Sequence, residues 1–146
     1  MRHAFKEHIM KSKATGTFEV KLVSLPINHE ELQTTFSRRS IDKEFSGDLK
    51  ATSQGEMFAA GTLVRGSAGY IAIEKVSGEL HGHKGTFILQ HNGIMNRGAP
   101  QLTVKVVPDS GTEELEGLTG NLSINIVDGK HFYEFNYELP ETAYSA

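Results

Sequence analysis

Cysteine is absent from this 146-residue chain, and proline occurs only four times. Without cysteine there is no disulfide framework, no thiolate nucleophile and no sulfur ligand for a metal. The missing disulfides fit a reducing compartment, so we expect the protein in the cytoplasm. The length suits one domain with a sizeable core.

A strong net charge and long apolar runs are missing too. The formal net charge is −3 and the acids and bases are interspersed, so no basic field exists to attract phosphates. No apolar run approaches the ~20 residues that a membrane-spanning helix needs. We therefore expect neither a nucleic-acid partner nor a membrane span. Residues 1–12 are polar and lack the apolar centre of a signal peptide, which predicts a flexible lead-in.

Glycine is abundant instead, with fifteen copies that separate segments of alternating apolar and polar residues. Phe18, Val20 and Leu22 alternate with charged neighbours, a pattern typical of a half-buried strand. The pattern predicts eight strands between residues 13 and 139, followed by a tail over 140–146. The pair Gln54-Gly55 is predicted to turn the second strand into the third. Asp128-Gly129 is the strongest hairpin signal, because type I′ turns need positive φ at both central residues.

One five-residue phrase occurs three times: apolar, small hydroxyl, Gly, acid or amide, Leu. The copies are 45–49, 76–80 and 118–122. Repetition predicts one β-hairpin unit used several times. A meander of eight strands must protect its edges, and closure into a barrel removes them. We therefore predict an all-β fold, a closed eight-stranded antiparallel up-and-down β-barrel; a two-sheet sandwich is the alternative.

Longer stretches carry a family resemblance: 45–57, 66–74, 89–93, 107–111 and 128–131. They resemble a bacterial family of unknown function whose barrel is similar to that of allene oxide cyclase and, more distantly, to the calycins. The resemblance covers about Ala14 to Leu139 and implies an eight-stranded antiparallel barrel. It implies no activity. The plant cyclase binds an unsaturated fatty-acid epoxide in its barrel and forms a trimer, but no residue of its site matches here.

His91 is the first candidate for chemistry. It shares strand parity with Phe87 and Leu89, so an inward apolar face would place it inside the barrel. A buried imidazole could act as an acid, a base or an anchor for a ligand head group. The structural alternative is a core histidine bonded to a neighbouring polar group.

The eighth strand offers a second set of candidates on one face: His131, Tyr133, Phe135 and Tyr137. An imidazole and two phenols beside a phenyl ring would line a ligand pocket well. The alternative is a barrel filled by side chains, with the hydroxyls bonded to backbone.

Two charged residues complete the predicted ligand-binding set. Glu74 lies mid-strand, where an inward carboxylate would indicate function and an outward one would be solvated or part of a subunit interface. Arg97, in a loop before Pro100, could meet an anionic ligand at a barrel mouth, although a solvated loop arginine is the simpler interpretation.

His81 and His83 suggest a metal site, since both lie on one strand face. Zinc would need a third ligand such as His131. In an up-and-down meander the turns after strands four and seven fall at opposite ends, so His131 should not reach His81. We therefore predict no metal and no cofactor.

The leading hypothesis is a non-enzymatic carrier or sensor that binds a small apolar or amphipathic molecule inside the barrel. The first alternative is an isomerase or cyclase acting on an oxidised lipid-like substrate, with His91 exchanging protons or Tyr133 or Tyr137 holding an oxygen. The second is an oligomeric scaffold with a filled barrel. Apolar residues of outward parity, such as Ile71, Ile73 and Val107, suggest a homo-oligomer.

Overall fold

The computed structural model describes residues 9–141 and shows eight strands that pair in sequence order into a closed barrel. Every pairing is antiparallel, so the predicted eight-stranded up-and-down β-barrel is confirmed. Two short 3₁₀ turns, Glu30–Leu32 and Glu113–Leu115, interrupt the loops. The strands are β1 (Ile9–Leu25), β2 (Phe36–Gly47), β3 (Leu49–Gly61), β4 (Ala68–Leu80), β5 (His83–Asn96), β6 (Ala99–Val106), β7 (Thr119–Val127) and β8 (Lys130–Pro140).

Alternation of side chains decides which face of each strand is buried. In β8, Tyr133, Phe135 and Tyr137 are buried while their neighbours Glu134 and Asn136 are exposed. The turn before β8 has positive φ at both central residues, 51° at Asp128 and 77° at Gly129. This tight hairpin fixes the register of β7 and β8, and with it the inward face of both strands.

The turn between β2 and β3 lies at Gly47 and Asp48, and the predicted turn at Gln54-Gly55 is wrong. Gly47 adopts φ +102°, and the Asp48 carboxylate accepts a hydrogen bond from the Thr15 backbone at 2.9 Å. Gly55 instead lies inside β3, paired with Glu74. A Cβ at Gly55 would lie 2.0 Å from the Ile73 carbonyl oxygen, so this glycine permits close approach of two strands.

The three copies of the repeated phrase do not form the same hairpin unit. The first contains the β2–β3 turn, the second ends β4 and the third begins β7. What they share is contact: a Cβ on Gly47, Gly78 or Gly120 would lie within 2.6 Å of a backbone oxygen outside its own segment. The repeat therefore reflects close strand approach.

Strand β1 begins earlier than we predicted, at Ile9. Residues 9–12 pair with β8, from Ile9 opposite Pro140 to Ser12 opposite Tyr137. Their backbone groups are therefore part of the ladder that joins the first and last strands. The rest of the predicted lead-in, residues 1–8, and most of the predicted tail, residues 142–146, lie outside the described residues.

The barrel interior differs between its two ends. At the filled end, around the β2–β3 and β4–β5 turns, large side chains pack tightly and are at most 4% exposed: Leu49, Leu80, Phe87, Leu89, Leu115, Leu118, Phe135, Tyr137 and Leu139. At the open end, around the β5–β6 and β7–β8 turns, apolar side chains of inward parity remain 41–61% exposed: Leu22, Met95, Leu102 and Ile126. Only one half of the interior is thus a conventional core.

One seam of the barrel is weak. β6 and β7 share a single bridge pair, Lys105 with Asn121, whereas β4 and β5 pair along their length from Ala68–Met95 to Leu80–His83. Leu102 and Ile126 lie beside this seam on the open-end side. The barrel wall is therefore least continuous where its interior is least filled.

Candidate functional site

A buried polar network lies between the filled end and the open end. Glu74 of β4 is fully buried, and its Oε2 accepts hydrogen bonds from Lys43 Nζ at 2.7 Å and from His91 Nε2 at 2.6 Å. Its Oε1 accepts a third bond from Ser53 Oγ at 2.8 Å. The four residues come from β2, β3, β4 and β5, which are neighbours in the barrel wall. Adjacent strands thus aim four polar side chains at one point.

Glu74 is ionised in this network. Burial by itself would raise the pKa of Glu74, but the hydrogen bond from His91 and the charge and hydrogen bond of Lys43 outweigh it and lower the pKa to about 2. A permanent carboxylate accepts hydrogen from each partner. Nε2 of His91 therefore carries its hydrogen.

Lys43 is a buried ammonium group with aromatic neighbours. It is 9% exposed, and its Nζ lies 4.7 Å from the ring centroid of Phe18 and 5.8 Å from that of Phe45. Both rings attract the cation while Glu74 neutralises it. The ion pair is thus well compensated, and its net charge is zero.

His91 presents its second nitrogen to accessible space. Within residues 9–141, Nδ1 makes no hydrogen bond, yet no buried polar side-chain atom lacks a partner. Nδ1 therefore keeps some exposed surface, although the residue as a whole is only 4% exposed. With hydrogen on Nε2, a neutral imidazole offers a lone pair at Nδ1.

Tyr70 lies on the open-end side of His91. Their ring centroids are 6.4 Å apart. The Tyr70 ring occupies the place of a side chain at Gly93, where a Cβ would lie 2.2 Å from the ring. Burial, and secondarily the charge of Glu74, raises the pKa of Tyr70, so its hydroxyl stays neutral. An aromatic wall with one hydroxyl therefore borders the network.

The chain has a clear family assignment. The model of the family described as "Protein of unknown function (DUF3224)" matches residues 14–137. The chain belongs to the DUF3224 family. A crystal structure of a DUF3224 protein of unknown function from Shewanella oneidensis MR-1 is 47% identical, with a TM-score of 0.85, over 92% of this chain and 100% of that one. No curated protein matches the chain.

These comparisons confirm the predicted membership of a family of unknown function. The likeness of this DUF3224 barrel to allene oxide cyclase stays a prediction. No helix within residues 9–141 is long and apolar enough to cross a membrane.

The aromatic face of β8 belongs to the filled end of the DUF3224 barrel. Phe135 is fully buried and stacks on Phe87, with ring centroids 5.8 Å apart. The Tyr133 hydroxyl donates to the Ser46 carbonyl and accepts from the Leu49 amide, both at 2.9 Å. Burial raises the pKa of Tyr133 and that of Tyr137. These side chains have structural partners and lie away from the open end.

His131 and Arg97 lie at the open end. His131 is the second residue of β8, and its ring centroid is 4.9 Å from that of Phe18. His131 and Phe18 both border a groove of about 610 Å³ beside the β7–β8 turn. Arg97 sits in the β5–β6 turn with φ +48°, and its backbone amide donates to Ser67 Oγ at 3.0 Å. Both residues therefore lie at the rim, outside the network of Glu74.

His81 lies in the β4–β5 turn and His83 is the first residue of β5, both at the filled end, opposite to His131. The Nδ1 of His81 is 2.5 Å from the Tyr137 hydroxyl, and its Nε2 is 3.5 Å from Asp48. No group of three or more His, Asp or Glu in residues 9–141 is arranged to hold a metal ion. The contacts of His81 instead connect two turns to β8.

Three members of the site escaped the sequence analysis: Lys43, Ser53 and Tyr70. A signal existed for Lys43, because it shares strand parity with Ile41 and Phe45, both buried. A charged residue in an apolar phase indicates an inward charge with a partner. Ser53 and Tyr70 carry no comparable signal, since small hydroxyls and tyrosines are common on either face of a strand.

Proposed function

We propose that the open end of the barrel binds a small apolar or amphipathic molecule, as a carrier or sensor, with its polar group on the network of Lys43, Glu74 and His91. The observation that carries the proposal is the position of exposed apolar side chains of inward parity next to a buried polar network whose charges are paired. Ligand sites typically combine apolar walls with a few convergent polar groups.

The accessible Nδ1 of His91 supports this placement. Below it, the interior is lined by buried apolar side chains, of which Leu89 is fully buried and Val106 is 7% exposed. Above it lie Tyr70 and the half-exposed Leu102. A molecule that enters between β6 and β7, or through the mouth, would meet apolar walls first and the imidazole last.

Native mass spectrometry of the purified full chain tests the proposal most directly. We expect a species heavier than the protein by one small molecule, released by denaturation and identified from the denatured sample. In parallel, the neutral fluorophore N-phenyl-1-naphthylamine should bind with one-to-one stoichiometry. If the protein retains no molecule and does not bind the fluorophore, the proposal is contradicted and the filled scaffold is the remaining hypothesis.

Matched variants locate the binding site. Leu102→Arg places a charge among the inward side chains of the open end, whereas Ile73→Arg places it on the outer face of β4, where Ile73 is 53% exposed. Both residues start half exposed, so neither variant should unfold the barrel. We expect Leu102→Arg to weaken fluorophore binding at least tenfold and Ile73→Arg to leave it unchanged. Equal effects would place the fluorophore elsewhere.

An isomerase or cyclase is the second candidate. The observation that favours it is the contact of His91 with an ionised carboxylate, which orients an imidazole and stabilises its protonated form during proton transfer. The candidates separate when the molecule recovered by mass spectrometry is incubated with the protein in D₂O. Carbon-bound deuterium that requires His91 supports an enzyme, and unchanged mass supports a carrier.

Further elements of the proposal come from the sequence. The cytoplasmic location follows from the lack of cysteine, and the homo-oligomer from outward apolar residues, of which Ile71 is 60% exposed. Both stay predictions. Native mass spectrometry counts subunits in the same experiment, and the variant Ile71→Arg should reduce any oligomer to the monomer.

A further inference from the structure

The charges of the buried network constrain what the open end can accept. Lys43 contributes one positive charge and Glu74 one negative charge, and they lie 2.7 Å apart. With a neutral His91 imidazole, the net charge of the network is zero. A further charge brought beside this pair would be buried without compensation, which is costly in a poorly solvated interior.

His91 can change its charge and keep its hydrogen bond to Glu74. Its Nε2–H···Glu74 hydrogen bond, 2.6 Å long, exists in both the neutral and the protonated ring. Protonation adds a hydrogen at Nδ1, the atom with no partner in residues 9–141. The protonated ring would then offer a charged donor towards the open end.

The groups that face His91 act on a protonated ring in opposite directions. From β4, Glu74 stabilises the imidazolium directly, while Tyr70 lies with its ring 6.4 Å away and keeps its proton. From β2, Lys43 shares the same carboxylate oxygen and opposes a second positive charge. From β6, the residue paired with His91 is Val104, which does not titrate. An anion on Nδ1 would restore the balance.

We propose that the ligand is an oxygen acid with an apolar body, and that it binds as an anion together with one proton taken up at Nδ1 of His91. The proton comes from solvent, the ligand keeps its negative charge, and the buried sum stays zero: Lys43 and His91 positive, Glu74 and the ligand negative. The inference depends on the proposed function, since it names the ligand class of the same site.

Calorimetric titration of the full chain with three probes of one shape tests the inference. The probes are naphthalene-2-carboxylate, the neutral 2-naphthalenemethanol and the cationic 2-naphthylmethylammonium. At pH 8, where an ordinary imidazole is neutral, titrations in buffers of different ionisation enthalpy report the protons exchanged. We expect the carboxylate to bind most tightly, with close to one proton taken up. Its affinity should fall about tenfold per pH unit above pH 8.

The variant His91→Gln separates a charge response from a structural role. Gln can still donate to Glu74 but cannot take up a proton. We expect carboxylate affinity to fall at least tenfold and proton uptake to vanish, while alcohol affinity changes less than about threefold. The control His83→Gln, at the filled end, should change neither. Equal losses for both probes in His91→Gln would overturn the inference.

Other outcomes are equally decisive. Carboxylate binding without proton uptake, tighter binding of the alcohol or the ammonium probe, or uptake that persists in His91→Gln would overturn the inference and leave the proposed function standing. If none of the three probes binds at millimolar concentration, the proposed function itself is contradicted.

Discussion

The filled end and the open end are built from the same eight strands, yet they use inward side chains differently. At the filled end, Phe87 and Phe135 stack in a region where large side chains are almost completely buried. At the open end, Leu22 and Leu102 have inward parity but remain 42% and 41% exposed. Apolar side chains held open to solvent give up burial energy, so the difference indicates a division between stability and binding.

The largest expected effect comes from the boundary between the two ends. Glu74→Ala leaves the Lys43 ammonium buried without its anion and removes the partner of Ser53 and His91. We expect a loss of about 5 kcal/mol of unfolding free energy, measured by urea denaturation. Glu134→Ala, which removes an exposed pair with Lys13 at 3.2 Å, should cost less than about 1 kcal/mol.

A double variant refines this result. Lys43→Met combined with Glu74→Leu removes both charges and should recover most of the stability lost in Glu74→Ala, because a buried ion pair is often replaceable by apolar residues. If the double variant is no more stable than the single one, the penalty does not come from the uncompensated ammonium.

Truncation at either end sharpens the comparison directly. Phe135→Ala opens a cavity in the packed interior and should cost about 4 kcal/mol. Leu102→Ala, at the open end, should cost less than about 1 kcal/mol because the side chain is already half solvated. Similar losses in urea denaturation would mean that the two ends are packed alike.

Acid should have the next largest effect on stability, because it protonates Glu74 at the boundary between the two ends. The Glu74 pKa is lowered from 4.5 to about 2, so the folded state binds this proton less readily than the unfolded state. Its stabilising contribution is complete above about pH 4.5 and is lost as the pH falls towards 2, for a total of about 3 kcal/mol. Urea midpoints between pH 6 and 2 should show this loss in the native chain, and Glu74→Gln should flatten the dependence.

The smallest effect concerns a single hydroxyl of the filled end. Tyr133→Phe leaves the buried Leu49 amide without its partner and should cost about 1 to 2 kcal/mol. The control Tyr70→Phe, beside the open end, should change urea stability by less than about 0.5 kcal/mol, since its hydroxyl makes no hydrogen bond to another of residues 9–141.

Much of the barrel was predictable because alternation and turn chemistry are local. Asp128-Gly129 specifies its hairpin without help from the rest of the chain. The β2–β3 turn was misplaced because Gly47 and Gly55 look alike in sequence. Gly47 adopts a positive φ in the turn, whereas Gly55 allows a close contact with Ile73 inside the sheet. Only the assembled sheet distinguishes these two roles.

The site was predictable only in parts. His91 and Glu74 were singled out separately, but their contact depends on the β4–β5 register, in which Ala72 pairs with His91. Lys43 reaches the same carboxylate from β2, two strands away from β4, so no sequence spacing relates the three residues. A polar network built from four neighbouring strands depends on their relative register, which the sequence pattern does not encode locally.

The single bridge between β6 and β7 also decides how this barrel would fail. The first and last strands pair from Ile9–Pro140 to Phe18–His131, so the barrel should open between β6 and β7 instead. The product would be an open sheet with those two strands at its edges. Bare borders invite other molecules to add strands, which is a common start of aggregation. Lys105, whose charge discourages such docking, is the residue of β6 that pairs with β7.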